Sequence, residues 1–267
     1  MKQKILVTIG DSYTEGVGCY NLHETSWFLD TNKRMPTNRL IEFEQKYSHV
    51  FHEQGWPNRV GKKLGFDKVY NIGKGGRSNS SCVKSFYNFT EKNNLSNSDV
   101  LVIWMMTDPA RISFYINGKL KDYSYYKGFD SPLGNAYVKE LVDIETDPIL
   151  EQIFYIKTLK NLCELNNFDL IITSWNNTYP KLFELYPDTT HLFNVPLCLR
   201  PPVLISDNER YTYYSFCSHP NELGYDWIAN KIVSGIKDNH SKWYNEESKQ
   251  EIEWEWDSYD SQTKRMI

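Results

Sequence analysis

A serine close to the N-terminus, a glycine block and a late histidine are the residues whose placement admits group-transfer chemistry. The chain reads Gly10-Asp11-Ser12-Tyr13-Thr14-Glu15-Gly16 directly after the apolar run Lys4–Ile9. A serine one step past a strand and entering a helix exposes its hydroxyl and turns its backbone N–H into the same space. The helix N-terminus favours negative charge there by ~0.3–1 kcal/mol. A nucleophile needs that placement. Asp and Ser are also ordinary helix caps, so this segment alone fits a purely structural role equally well.

A second block, Asn71-Ile72-Gly73-Lys74-Gly75-Gly76-Arg77-Ser78-Asn79, carries glycines that let the backbone bend tightly and offer N–H groups to an oxyanion or a phosphate. It does not match the spacing G-x-x-x-x-G-K-[ST] of a P-loop, and no dinucleotide fingerprint follows the first apolar run. A third block is Met106-Thr107-Asp108-Pro109-Ala110-Arg111, and a fourth is Cys217-Ser218-His219-Pro220-Asn221-Glu222-Leu223-Gly224-Tyr225. A lone histidine is more often structural than catalytic. Its place at the start of the last amphipathic stretch sets His219 apart from His23, His49, His52, His191 and His240. Of those, only His49-x-x-His52 approaches metal-ligand spacing, and weakly.

The elements that must position these residues follow from periodicity. Lys4–Ile9, Val69–Ile72, Val100–Met106 and Leu170–Trp175 read as buried strands, with a fifth in Leu192–Val195 or Val203–Ile205. Trp56–Leu64, Ser78–Thr90, Ile149–Leu165 and Asn221–Ile236 read as helices, the last two with apolar residues at three- and four-residue steps. Near-continuous apolar strands separated by helices predict a parallel sheet covered on both faces, with ligands outside the carboxyl ends of the strands. The four blocks above all follow strands or open the last helix. Residues 20–55 and 113–147 fit the alternation poorly and read as insertions at the active edge of the sheet, carrying small elements of their own. The tail 241–267, with Glu251-Ile252-Glu253-Trp254-Glu255-Trp256, reads as an edge strand, a docking segment or a loosely ordered end.

Composition bounds the class. A chain of 267 residues with 40% hydrophobic and 24% charged residues is expected to be globular. A net charge of -4 argues against a dedicated nucleic-acid binder, and no apolar run approaches a membrane span. The start of the chain lacks the pattern of a signal peptide. Five cysteines without a C-x-x-C pair predict reduced thiols in a cytoplasmic setting. Aromatic residues reach 15%, serving the core or, in part, a platform for a carbohydrate or partner.

Taken in order, Gly10-Asp11-Ser12, the glycine block, the third block and His219-Pro220-Asn221-x-x-Gly224-Tyr225 resemble the SGNH (GDSL-type) hydrolase superfamily. The resemblance spans residues 4–236 in outline. The longer string Gly10–Gly16, with Trp56-Pro57-Asn58 and Gly75-Gly76-x-Ser78-Asn79, looks like a branch met in phage and bacterial genomes. It implies a three-layer α/β/α sandwich with a five-stranded parallel sheet, flavodoxin-like, as a single domain over 1–240. It also implies Ser12 as nucleophile and His219 as general base, with the N–H groups of Ser12 and Gly76 in the oxyanion hole. No metal or organic cofactor is implied. The family's third block usually supplies an Asn side chain to that hole; Thr107 stands there, and Asn79 is the alternative donor. The family's acid precedes the histidine by two or three residues, where this chain has Phe216 and Cys217. Three readings follow: a carboxylate from elsewhere, of which Asp207 is the nearest upstream, a backbone carbonyl orienting His219, or impaired turnover. Cys217 as nucleophile is a minor rival to Ser12.

The expectation is therefore an esterase acting on a small-molecule or glycan ester, a carbohydrate O-acetyl group leading, with neither nucleic acid nor membrane as partner. Its setting is cytoplasmic, or virion-associated if phage-encoded. The rivals are a catalytically impaired glycan-binding or virion component of the same fold, and an O-acyltransferase using the same serine.

Overall fold

The computed structural model describes residues 2–19, 48–109, 111–116, 119–124, 148–176, 179, 199–201, 213–214, 219–244 and 252–256. In chain order the elements are β1 (Gln3–Ile9), α1 (Ser12–Glu15), α2 (Trp56–Leu64), β2 (Lys68–Asn71), α3 (Asn79–Lys92), β3 (Ser98–Met106), β4 (Arg111–Ile116), β5 (Lys119–Ser124), α4 (Pro148–Leu165), β6 (Asp169–Ser174), α5 (Glu222–Asn239), a 3-10 turn (Ser241–Trp243) and β7 (Glu253–Trp256). Residues 48–54 are also helical.

β6, β3, β1 and β2 lie side by side and all pair in parallel, with Leu6 opposite Leu101 on one side and Val69 on the other. Alternation of side chains along a strand explains why these runs are apolar throughout. Ile5, Val7 and Ile9 face one cluster with Val102, Trp104, Phe86 of α3 and Ile156 of α4. Leu6, Leu101 and Ile103 face a second cluster with Trp56 and Val60 of α2 and Ile228 and Ile232 of α5. Each such side chain, fully buried, contributes roughly 1.5–3 kcal/mol.

The chain goes from β1 to β2 on one side and then crosses back to β3 on the other, so the order reverses between β1 and β3. In open α/β sheets ligands bind outside the carboxyl ends of the strands at such a point. Gly10-Asp11-Ser12 and Thr107 sit there.

A fifth parallel strand comes from the tail: β7 pairs with β2, Lys68 opposite Glu253. The Lys68 ammonium lies 2.6 Å from Glu253 and 3.1 Å from Glu255. Burial pulls its pKa down, but the hydrogen bonds to Glu253, Tyr70 and Glu255 outweigh that and raise it above the ordinary lysine value. The fifth strand expected at 192–195 or 203–205 lies outside the described residues. So does most of the insertion expected at 20–55, apart from the helix at 48–54. Within the second insertion, β4 and β5 form a two-stranded antiparallel sheet. Asp122 of β5 accepts from Ser78 N–H (3.1 Å), Ser81 Oγ (2.6 Å) and Ser113 Oγ (2.5 Å), which fastens this pair to the first turn of α3. Among the described residues no helix is long and apolar enough to cross a membrane.

One buried contact holds the 48–54 helix against the end of β2. Asn71 Nδ2 lies 3.0 Å from His52 Nδ1 and 2.9 Å from the carbonyl oxygen of Thr14, while Asn71 Oδ1 accepts from Gly73 N–H. Desolvation by burial lowers the His52 pKa from 6.5 to about 3. Between those values the unfolded chain binds a proton that the folded chain does not, so folding stability falls as pH drops from 6.5 towards 3. The slope from this group is at most about 1.4 kcal/mol per pH unit. Urea midpoints measured from pH 7 to 4 are expected to fall more steeply for the wild type than for His52→Asn. Parallel curves would mean that His52 does not carry this dependence.

Candidate active site

β1 ends at Ile9, and Asp11 caps α1 by accepting from Tyr13 N–H at 3.0 Å. Ser12 is therefore the first helical residue, where a backbone N–H has no intrahelical acceptor. Its hydroxyl meets an imidazole from the other end of the chain: His219 Nε2 lies 2.8 Å from Ser12 Oγ across a separation of 207 residues. With Ser12 donating, Nε2 carries the lone pair and can take the proton.

The residues after His219 explain why it arrives there. Pro220 pairs with Tyr214 in an isolated bridge, and Asn221 N–H donates to the Tyr213 carbonyl at 2.9 Å. The Asn221 side chain caps α5 by accepting from Gly224 N–H at 3.0 Å. Gly224 passes so close to the loop that a Cβ on it would fall 2.2 Å from the Tyr213 oxygen. Tyr225 is buried and its hydroxyl donates to Val17 O at 2.8 Å, 3.4 Å from Ser12 O. Asn221 and Gly224 thus shape the histidine loop locally, and Tyr225 tethers it to the serine turn. The imidazole also lies against the Tyr13 ring (centroids 5.7 Å apart), which stacks on Trp175 at 4.9 Å and 11°.

Beneath Ser12 lies a buried carboxylate. Asp11 has no exposed surface, and its Oδ2 accepts from Thr107 Oγ1 (2.7 Å), Arg111 Nη1 (2.7 Å) and Trp175 Nε1 (3.1 Å). Those donors follow β3, open β4 and follow β6, so one side chain joins the ends of several strands.

The glycine block runs beside this turn. Lys74 N–H donates to Gly10 O at 3.1 Å, and Gly75 N–H donates to Glu15 Oε2 at 2.5 Å. Gly76 adopts φ +82, a conformation that a side chain would strain, and it is exposed with open space around it. The other two residues expected as oxyanion donors are engaged elsewhere. The Thr107 hydroxyl gives its hydrogen to Asp11. Asn79 is buried; its Oδ1 accepts from Thr107 N–H at 3.0 Å, and its Nδ2 faces Thr107 O, Gln152 Oε1 (2.7 Å) and Tyr179 OH (2.8 Å). Both side chains support the floor of the site, because their polar hydrogens already have acceptors there. Asp207 and Cys217 lie outside the described residues.

The pairing of His49 with His52 does not converge on a common point: His49 is exposed, while His52 is buried against Asn71. Among the described residues no three His, Cys, Asp or Glu side chains gather as a metal site. Cys82 is buried, and desolvation pushes its thiol up to about 12. Arg111, Trp175 and Tyr13 are neighbours of the Asp11–Ser12–His219 cluster that spacing did not single out. The signal available was positional, since Arg111 and Trp175 follow strands whose carboxyl ends frame the site.

No family model matches the chain, and no curated protein matches it.

Removing a partner from a buried ion pair leaves an uncompensated group and costs about 3–5 kcal/mol. Asp11→Ala strips the acceptor from Arg111, Thr107 and Trp175 together, so a stability loss of about that size is expected from urea unfolding. A loss under about 1 kcal/mol would show that the strand ends are held together by other contacts.

Proposed function

We propose that this protein is a serine ester hydrolase with the three-layer α/β/α architecture of the SGNH hydrolases, acting through Ser12 and His219. The observation that carries the reading is the 2.8 Å contact between Ser12 Oγ and His219 Nε2, made at the switch point of a parallel α/β sheet.

In the proposed reaction Ser12 Oγ attacks the acyl carbon while its proton passes to His219 Nε2. The carbonyl π electrons move onto oxygen, which the N–H groups of Ser12 and Gly76 stabilise. Collapse of the tetrahedral intermediate breaks the bond to the alcohol, which leaves with the proton returned by His219. Water then attacks the acyl-enzyme by the same route and releases the acid. No cofactor is required for these steps.

A short acyl ester, carbohydrate O-acetyl among them, suits the site best. The Tyr13–Trp175 pair beside His219 offers an aromatic surface of the kind that sugar rings and other amphipathic ligands use. Cys82 and Cys163 are free and buried, which fits a reducing, cytoplasmic setting or a virion component made there.

A fluorophosphonate probe tests the reading directly. The wild type is expected to label at Ser12 and Ser12→Ala not at all, while His219→Ala labels at least about 10²-fold more slowly. A folded wild type that stays unlabelled would favour the rival in which the fold binds a glycan or a virion partner without turnover.

A further inference from the structure

Arg111 is a charged donor that the reading above leaves without a task in the reaction. It opens β4 just past the end of β3. Its Nη1 lies 2.7 Å from Asp11 Oδ2 and 3.3 Å from the carbonyl oxygen of Arg77. Asp11 directly precedes Ser12, and Arg77 directly follows Gly76. The guanidinium therefore bridges the two chain segments whose N–H groups are the proposed oxyanion donors. Its Cζ lies over the Trp175 ring, 5.8 Å from the centroid. The side chain keeps 18% exposure while Asp11 has none, so the guanidinium sits on the solvent side of that carboxylate.

Among the described residues its remaining hydrogens meet no acceptor. An arginine carries N–H bonds on Nε, Nη1 and Nη2. Among the described residues, Nη1 alone makes hydrogen bonds. The side chains that could have served as a third donor have no such freedom: the Thr107 hydroxyl is given to Asp11, and the Asn79 amide is held by Thr107, Gln152 and Tyr179.

We propose that Arg111 is a further oxyanion donor, supplying the contact that Thr107 and Asn79 do not. This rests on the esterase reading of Ser12 and His219. As the bond from Ser12 Oγ to the acyl carbon forms and the carbonyl pair moves onto oxygen, an N–H of the guanidinium donates to that oxygen and releases it when the alcohol departs. The proton of Ser12 travels only to His219 and back to the alcohol, so Arg111 stays charged throughout. The ion pair with Asp11 holds the guanidinium in place before substrate arrives, which is the condition under which such donors act strongly.

Hydrolysis of p-nitrophenyl acetate by the full chain tests this, with inhibition by phenylboronic acid, whose adduct with a serine mimics the tetrahedral oxyanion. Arg111→Gln is expected to lower kcat about 10²–10³-fold with little change in KM, and to weaken phenylboronic acid by a comparable factor. Because Arg111→Gln leaves Asp11 buried without its cation, two companions guard against misfolding. Arg111→Lys keeps the charge but loses the planar fork, and is expected to fold and still lose at least about tenfold in kcat. Asp11→Asn with Arg111→Gln removes both charges and is expected to stay slow, with its folding checked by circular dichroism. A folded Arg111 variant with wild-type kcat overturns the proposal. So does a defect confined to KM, which would assign Arg111 to substrate binding. A wild type that neither turns over the ester nor labels with fluorophosphonate fails at the esterase reading instead, a result distinct from active enzyme with indifferent Arg111 variants.

Discussion

A carboxylate with no exposure to water is tolerated only when donors replace its hydration, and Asp11 is the place where this constraint organises the molecule. Its oxygens take hydrogen bonds from Tyr13 N–H, Thr107, Arg111 and Trp175. Charge-assisted bonds of this kind are roughly twice as strong as neutral ones, and burial raises the cost of losing any of them. Because the donors come from the ends of different strands, satisfying one side chain sets the positions of β1, β3, β4 and β6 relative to one another. Ser12 inherits that order as the next residue along the chain.

Bringing His219 to Ser12 is a separate problem with a separate solution. The two are 207 residues apart, and the cost of closing such a loop must be met by contacts local to the junction. Two of them shape the histidine loop itself, and the third, a side-chain hydroxyl, spans the junction. Asn221 binds the Tyr213 carbonyl, Gly224 lets the chains approach, and Tyr225 reaches Val17 O beside the serine turn. The motif around the histidine is thus chiefly a docking device: His219 meets the Ser12 hydroxyl, while Tyr225 reaches the backbone oxygens of Val17 and Ser12.

Much of the frame was legible because parallel strands bury both faces. The runs at Lys4–Ile9, Val69–Ile72, Val100–Met106 and Leu170–Trp175 became β1, β2, β3 and β6 with ends shifted by only a residue or two, and Ile149–Leu165 became α4. β7 was harder to read. Its alternation of Glu and Trp fits an edge strand or an unattached tail equally, and what decides is Lys68 on a strand far away in sequence. β5 and most of β4 lay within a stretch read as polar insertion, since their anchoring depends on Asp122 meeting Ser78 and Ser81 at the start of α3. In the site, Ser12 and His219 were readable from position after a strand and before a helix. Thr107 and Asn79 were readable as neighbours of the site but not as its supports. Residue type tells which hydrogens a side chain owns, and only coordinates tell which acceptors have already taken them.

The charges around Ser12 show why the aromatic pair belongs in this arrangement. At rest, Arg111 and Asp11 form an ion pair beside the Ser12–His219 contact. In the proposed reaction, proton transfer creates an imidazolium and an oxyanion together, so the site separates charge without changing its total. The cations of that state flank one stack: the guanidinium lies over Trp175, Trp175 lies on Tyr13, and the His219 ring lies against Tyr13. Aromatic faces attract cations without accepting their protons. Stacking of this kind can hold both rings and the guanidinium in place while leaving His219 Nε2 available to Ser12.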